Sequence, residues 1–148
     1  MQQKLTAGEK RNGLRWHRYL QTMALCAVTA GFSAIYCNKV LAGKAHLTTW
    51  HGVVGLMATI WMLAQGAVGI LLIYAPGLFG GAFKSRQYYR LHRLFGYGSL
   101  LAMWLATALG MMSNWMHYYL PYTWFGWLLA GVIVAGIGRR VSLTAVRL

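Results

Sequence analysis

Four apolar segments, each about the length needed to cross a bilayer and each followed by a short connection, constrain this chain more than any other feature. They run from about Trp16 to Cys37, from about Leu47 to Ala75, from about Arg90 to Ser113 and from about Pro121 to Gly138. A hydrocarbon core of roughly 30 Å is crossed by about 20 helical residues. Within lipid every backbone N–H and C=O must be satisfied inside the protein, which leaves a helix as the form such segments take. The expected fold is therefore an all-α integral membrane protein, a four-transmembrane-helix bundle occupying residues 16–138. A polar basic tail, residues 1–15, precedes the bundle and a basic tail, residues 139–148, follows it. With 58% hydrophobic and only 10% charged residues in 148, no room remains for a soluble domain.

The charge is one-sided. Fourteen Lys and Arg face a single acid, Glu9, for a net charge of +13. The basic residues lie in the tails and connections and not in a patch interleaved with polar residues, so they read as topology signals and contacts for anionic lipid, not as a nucleic-acid surface. With four spans, Lys4, Lys10, Arg11, Arg15, Arg18, Lys84, Arg86, Arg90, Arg93, Arg139, Arg140 and Arg147 fall on one side, and only Lys39 and Lys44 on the other. Both termini are thus expected on the positive side, the cytoplasm or an equivalent such as a mitochondrial matrix. Cys26 and Cys37 stand eleven residues apart in one helix, about 16 Å, too far for a disulfide. The first fifteen residues show no small-residue cleavage site of a secretory signal.

This topology sorts the histidines by depth. His17 opens the first span and His92 the third, so both rings are expected near the positive face; His46, His51 and His117 belong to the other side. From His92, steps of four and three reach Gly96, Ser99, Met103, Ala106 and Gly110, a narrow face of mostly small side chains. From His17 they reach Gln21, Ala24, Val28 and Gly31, and the second span has its own slim face through Gly55, Ala58, Met62, Gly66 and Gly69. Two readings are open here. Small faces permit close helix packing, with the histidines as polar residues at the membrane border. Alternatively, two helices that each carry an imidazole at one depth meet the demand of a bis-histidine haem, whose iron takes one nitrogen from each side of a flat macrocycle. Arg15, Arg18, Arg90 and Arg93 flank these histidines and are placed to pair with propionates.

The stretches WHRYLQTMALC, KAHLTTWHGVVGL, QGAVGILLIYAPGL and YRLHRLFGYGSLLAMW resemble the cytochrome b561 family, most closely its eukaryotic domain-containing subgroup, over roughly Arg15 to Trp115. The resemblance implies a six-helix transmembrane electron carrier with haem b, which takes electrons from ascorbate and delivers them to monodehydroascorbate or ferric chelates. Aligned by motif, His17 corresponds to the ligand on the family's third helix, His51 to that on the fourth and His92 to that on the fifth. The resemblance thus makes His17 and His92 the axial ligands of one haem. It leaves His51 as a ligand of a second haem whose partner belongs to a helix before this chain's first. The chain matches only the third to sixth helices, so one haem is expected, with a second depending on another source of ligand.

The leading expectation is a b-type cytochrome that moves electrons in a membrane, incomplete alone. The alternative is a b561-derived structural subunit of a larger assembly, such as a mitochondrial respiratory complex, with or without haem. Either would sit among other membrane subunits, or copies of itself, and anionic lipid, in a mitochondrial inner membrane or an endomembrane. A transporter is disfavoured because the spans hold no acid and no inverted repeat.

Overall fold

The structure is a computed structural model that describes residues 6–119, 124, 126–128 and 131. The chain divides into two compact units, Met1–Lys44 and Ala45–Leu148.

The first unit is one helix, α1, Ala7–Leu41. Its 35 residues would extend about 52 Å, well beyond the bilayer core, so several turns stand outside it. It starts nine residues ahead of the expected span because Thr6 and Glu9 form a capping box: the Thr6 hydroxyl accepts from the Glu9 N–H at 3.3 Å, and the Thr6 N–H donates to the Glu9 carboxylate at 2.7 Å. Glu, Lys, Arg and Leu then carry the helix through a stretch whose polarity alone reads as a tail. Residues 7–15, polar and basic in composition, are therefore helical. Cys26 and Cys37 are both free thiols.

The second unit is built on two helices, α2, Trp50–Tyr74, and α3, Gly81–Met111, which pack along each other in antiparallel fashion. Thr49 caps α2 by accepting from the Gly52 N–H at 3.2 Å. Pro76 opens a short 3-10 turn, Pro76–Phe79, and Gly80 and Gly81, with φ of 78° and 90°, reverse the chain into α3. The region Gly81–Tyr89, expected as loop, is thus already helix: after the two glycines nothing in AFKSRQYY breaks a helix. A six-residue helix, α4, Asn114–Tyr119, likewise occupies part of the connection expected between the third and fourth spans.

Ala58, Thr59 and Leu72 of α2 and Ser99, Ala106, Ala108 and Met111 of α3 are buried, while the leucines, tryptophans and phenylalanines of both helices are largely exposed. This is the inside-out distribution of a membrane helix pair, in which small residues let backbones approach and large apolar ones face lipid. The hydroxyls of Thr59 and Thr107 donate to the carbonyls of Gly55 and Met103, four residues back, so neither polar group is left bare. Ala7–Leu41, Trp50–Tyr74 and Phe83–Met111 are long and apolar enough to cross a membrane, and the protein is a multi-pass integral membrane protein. The expected fourth span, about Pro121 to Gly138, and the tail 139–148 lie outside the described residues apart from Trp124, 126–128 and 131.

Candidate functional site: imidazoles seated in glycine sockets

α2 and α3 meet through rings placed over glycines. His51, in the first turn of α2, lies against Gly110 near the end of α3: a Cβ added at Gly110 would come within 2.9 Å of both Cε1 and Nδ1 of the imidazole. At the other end of the pair the roles are exchanged. A Cβ at Gly69 of α2 would lie 3.2 Å from Cε1 and 3.5 Å from Nε2 of His92 on α3. Between these two, Trp61 covers Gly98, where a Cβ would stand 2.8 Å from Cη2.

The spacing explains why both ends work. His51 and Gly69 are eighteen residues apart, as are His92 and Gly110. Eighteen residues are five turns of an α-helix, so each helix presents its histidine and its glycine on one face, about 27 Å apart. Two such helices laid antiparallel bring each imidazole onto the other's glycine. His51 and His92 therefore sit at opposite ends of the pair, too far apart to share one ligand.

Hydrogen bonds settle part of the chemistry. Nδ1 of His51 stands 2.8 Å from the carbonyl oxygen of Ala106, one turn before Gly110. A carbonyl can only accept, so Nδ1 carries the proton and Nε2 of the neutral ring keeps its lone pair. This is the arrangement of a metal-ligating histidine, whose outer N–H is held by a backbone carbonyl. His51 as a whole remains exposed. His92 is half-buried with its Nδ1 inside, and Tyr89, one turn earlier, donates its hydroxyl to the Leu72 carbonyl at 3.1 Å. Arg90 and Arg93 flank His92 and are both exposed.

His17 stands on α1 with Arg15 and Arg18 beside it, all three within the first unit. Among the described residues no three of His, Cys, Asp or Glu converge as a protein-only metal cage. An iron held equatorially by a macrocycle asks for fewer side chains than that.

The small faces expected from the sequence are put to different uses. On α3 the face through Ser99, Ala106 and Gly110 packs on α2, as the packing reading has it, whereas a Cβ at Gly96 would meet nothing within 4 Å. Gly55 of α2 is equally open. Gly69, Gly98 and Gly110 as seats for rings were not apparent from those faces, although the repeated eighteen-residue interval between His and Gly was there to be seen.

Comparison with known proteins places the chain. The family model described as eukaryotic cytochrome b561 matches residues 2–118. The transmembrane reductase CYB561D2 of Bos taurus is 36% identical over 102 residues, covering 68% of this chain and 45% of that protein. The Mus musculus and Homo sapiens proteins of the same name are 36% and 35% identical over 117 residues, covering 78% of this chain and 50% of each. The chain thus spans about half the length of the curated relatives it matches. No solved structure matches it.

Proposed function

We propose, because this chain belongs to the eukaryotic cytochrome b561 family, that it is a b-type cytochrome that carries electrons in a membrane, with His17 and His92 as the axial ligands of haem b. Bound haem iron supplies one-electron chemistry between its ferric and ferrous states. The observation that carries the reading is the match of the eukaryotic cytochrome b561 family model over residues 2–118, which contain both His17 and His92. His92, half-buried between α2 and α3 beside Gly69, and His17 on α1 would hold the group, each through one imidazole nitrogen.

The remaining residues take supporting parts. Arg90 and Arg93, and Arg15 and Arg18 on α1, supply guanidinium groups for the propionates. His51, whose Nδ1 bond to Ala106 leaves the Nε2 lone pair uncommitted, would ligate a second haem only where a further ligand is supplied opposite it, and the chain described here is expected to hold one haem. His92 lies about 27 Å away along the helix pair, so it is not the opposite ligand of that haem. The relatives' name, transmembrane reductase, supports the same class of activity here; ascorbate as donor and monodehydroascorbate or a ferric chelate as acceptor are what the family resemblance adds. Anionic lipid accompanies the +13 charge.

The test is a reduced-minus-oxidised spectrum with haem counted per chain, on protein purified from membranes. One haem that is lost in His17→Ala and in His92→Ala and kept in His51→Ala is the expected result. Haem retained in His92→Ala, or a folded chain that takes up none, overturns the proposal. Reduction of the bound haem by ascorbate then tests the donor.

A further inference from the structure

We propose that Gly69 and Gly110 are positioning residues, each fixing the plane of the imidazole contributed by the opposite helix, and that the Ala106 carbonyl sets the tautomer of His51. The consequence for haem rests on the ligand assignment proposed above, whereas the seating of the rings does not.

Three observations carry it. A Cβ built at Gly110 would stand 2.9 Å from the His51 ring, closer than real Cβ atoms come, and one at Gly69 would stand 3.2 Å from the His92 ring, tight enough that the ring must give by a few tenths of an ångström. The two contacts are related by the same five-turn interval on both helices, so they form one reciprocal arrangement. At His51 a hydrogen bond of 2.8 Å to the Ala106 carbonyl fixes rotation of the ring about its own axis as well as its position. A ring whose Nδ1–Cε1 edge rests against Gly110 and whose Nδ1–H bonds the Ala106 carbonyl is restrained in orientation, with Nε2 as its one free donor atom.

This separates glycines that merely let helices approach from glycines that orient a ligand. Gly55 and Gly96 lie on the same helices, and a Cβ at either would meet nothing within 4 Å. They are the natural controls, since an alanine there changes helix propensity and leaves both imidazoles untouched.

The experiment uses the full chain in lipid nanodiscs with 15N-labelled histidine, its resonances assigned through single His→Gln variants, in haem-free and haem-loaded samples. In the haem-free protein His51 should appear as the pure Nδ1–H tautomer. Gly110→Ala should mix the His51 tautomers and leave His92 unmoved; Gly69→Ala should shift His92 and leave His51 unmoved; Gly55→Ala and Gly96→Ala should shift neither. In the haem-loaded protein, Gly69→Ala should move the largest g value of the ferric low-spin electron paramagnetic resonance signal, which follows the relative ring planes, while haem content is retained. An Nε2–H tautomer for His51, or ring signals that respond to the control glycines as much as to the socket glycines, overturns the proposal. If Gly110→Ala does not fold, the wild-type tautomer and the Gly69→Ala spectra decide. A wild-type chain that takes up no haem would remove the haem assignment and leave the nitrogen spectra to decide the sockets.

Discussion

Trp61 of α2 lies where a side chain on Gly98 of α3 would have to be, with Cη2 and Cζ2 of the indole 2.8 and 2.9 Å from the position of a Cβ. The contact stands midway between the two histidine sockets and sets how closely the helices approach. Gly98→Ala should therefore destabilise the pair. Overpacking of this kind costs about 1–3 kcal/mol, partly offset by the helix propensity of alanine, worth roughly 1 kcal/mol over glycine. The net loss should be about 1 kcal/mol, measured by denaturation in detergent micelles. Gly98→Ala combined with Trp61→Phe should recover most of it, and Gly96→Ala should stabilise. Additive effects of the two changes would show that the residues do not touch.

How much of this was legible beforehand depends on the kind of signal. Spans and the small faces of the second and third segments follow from hydrophobicity and period, because burial acts on every residue of a helix. Helix starts are less legible where one local contact outweighs composition: Thr6 with Glu9 begins α1 inside a polar stretch, and Gly80 with Gly81 turns the chain into a helix that reads as loop. Ring-on-glycine contacts are harder still. Gly55, Gly96 and Gly110 look alike in a helical face, and only the partner helix, in its antiparallel register, distinguishes the seat of His51 from two open positions.

The capping box should give α1 a pH-dependent first turn. Glu9 is held below the ordinary carboxylate value of 4.5, first by the bond from the Thr6 N–H and then by that from the Thr6 hydroxyl, against a small opposing effect of desolvation. A depressed value in the folded state means that the charged form is the one the fold stabilises. The contribution is complete above 4.5 and disappears as the pH falls through the lowered value of the native state. Amide exchange at Gly8, Glu9 and Lys10, corrected for intrinsic rates, should rise in acid, and Glu9→Gln should remove that dependence. Equal protection across this range in the wild-type chain would show that the box adds nothing.

Tyr89 reaches across the turn to donate to the carbonyl of Leu72, one of the last carbonyls of α2 and without a partner further along that helix. Tyr89→Phe keeps the ring and removes only the donor. An unpaired carbonyl in apolar surroundings should cost about 1 kcal/mol, near the lower end of the unsatisfied-group range because membrane hydrogen bonds average about 0.6 kcal/mol. Denaturation in micelles measures the loss, and hydrogen exchange around residues 71–76 should locate it at the end of α2. A variant as stable as the parent, with unchanged exchange there, would mean that water or lipid head groups replace the hydroxyl.

Arg90 and Arg93 stand exposed on either side of His92. If His92 ligates iron, each cation favours the ferrous state, which carries one positive charge fewer than the ferric. Removing a cation should therefore lower the midpoint potential. The size follows from the worth of an exposed charge pair, about 0.2–1 kcal/mol, which for one electron is roughly 10–40 mV. Arg90→Gln and Arg93→Gln should each lower the potential by this order in a redox titration at low salt, and the difference should shrink as salt rises. Arg→Lys at either position should restore most of the potential while weakening retention of haem, since a lysine keeps the charge and loses the bidentate fork. A potential that ignores both arginines would place the propionates away from this end of α3, and with them the iron from His92.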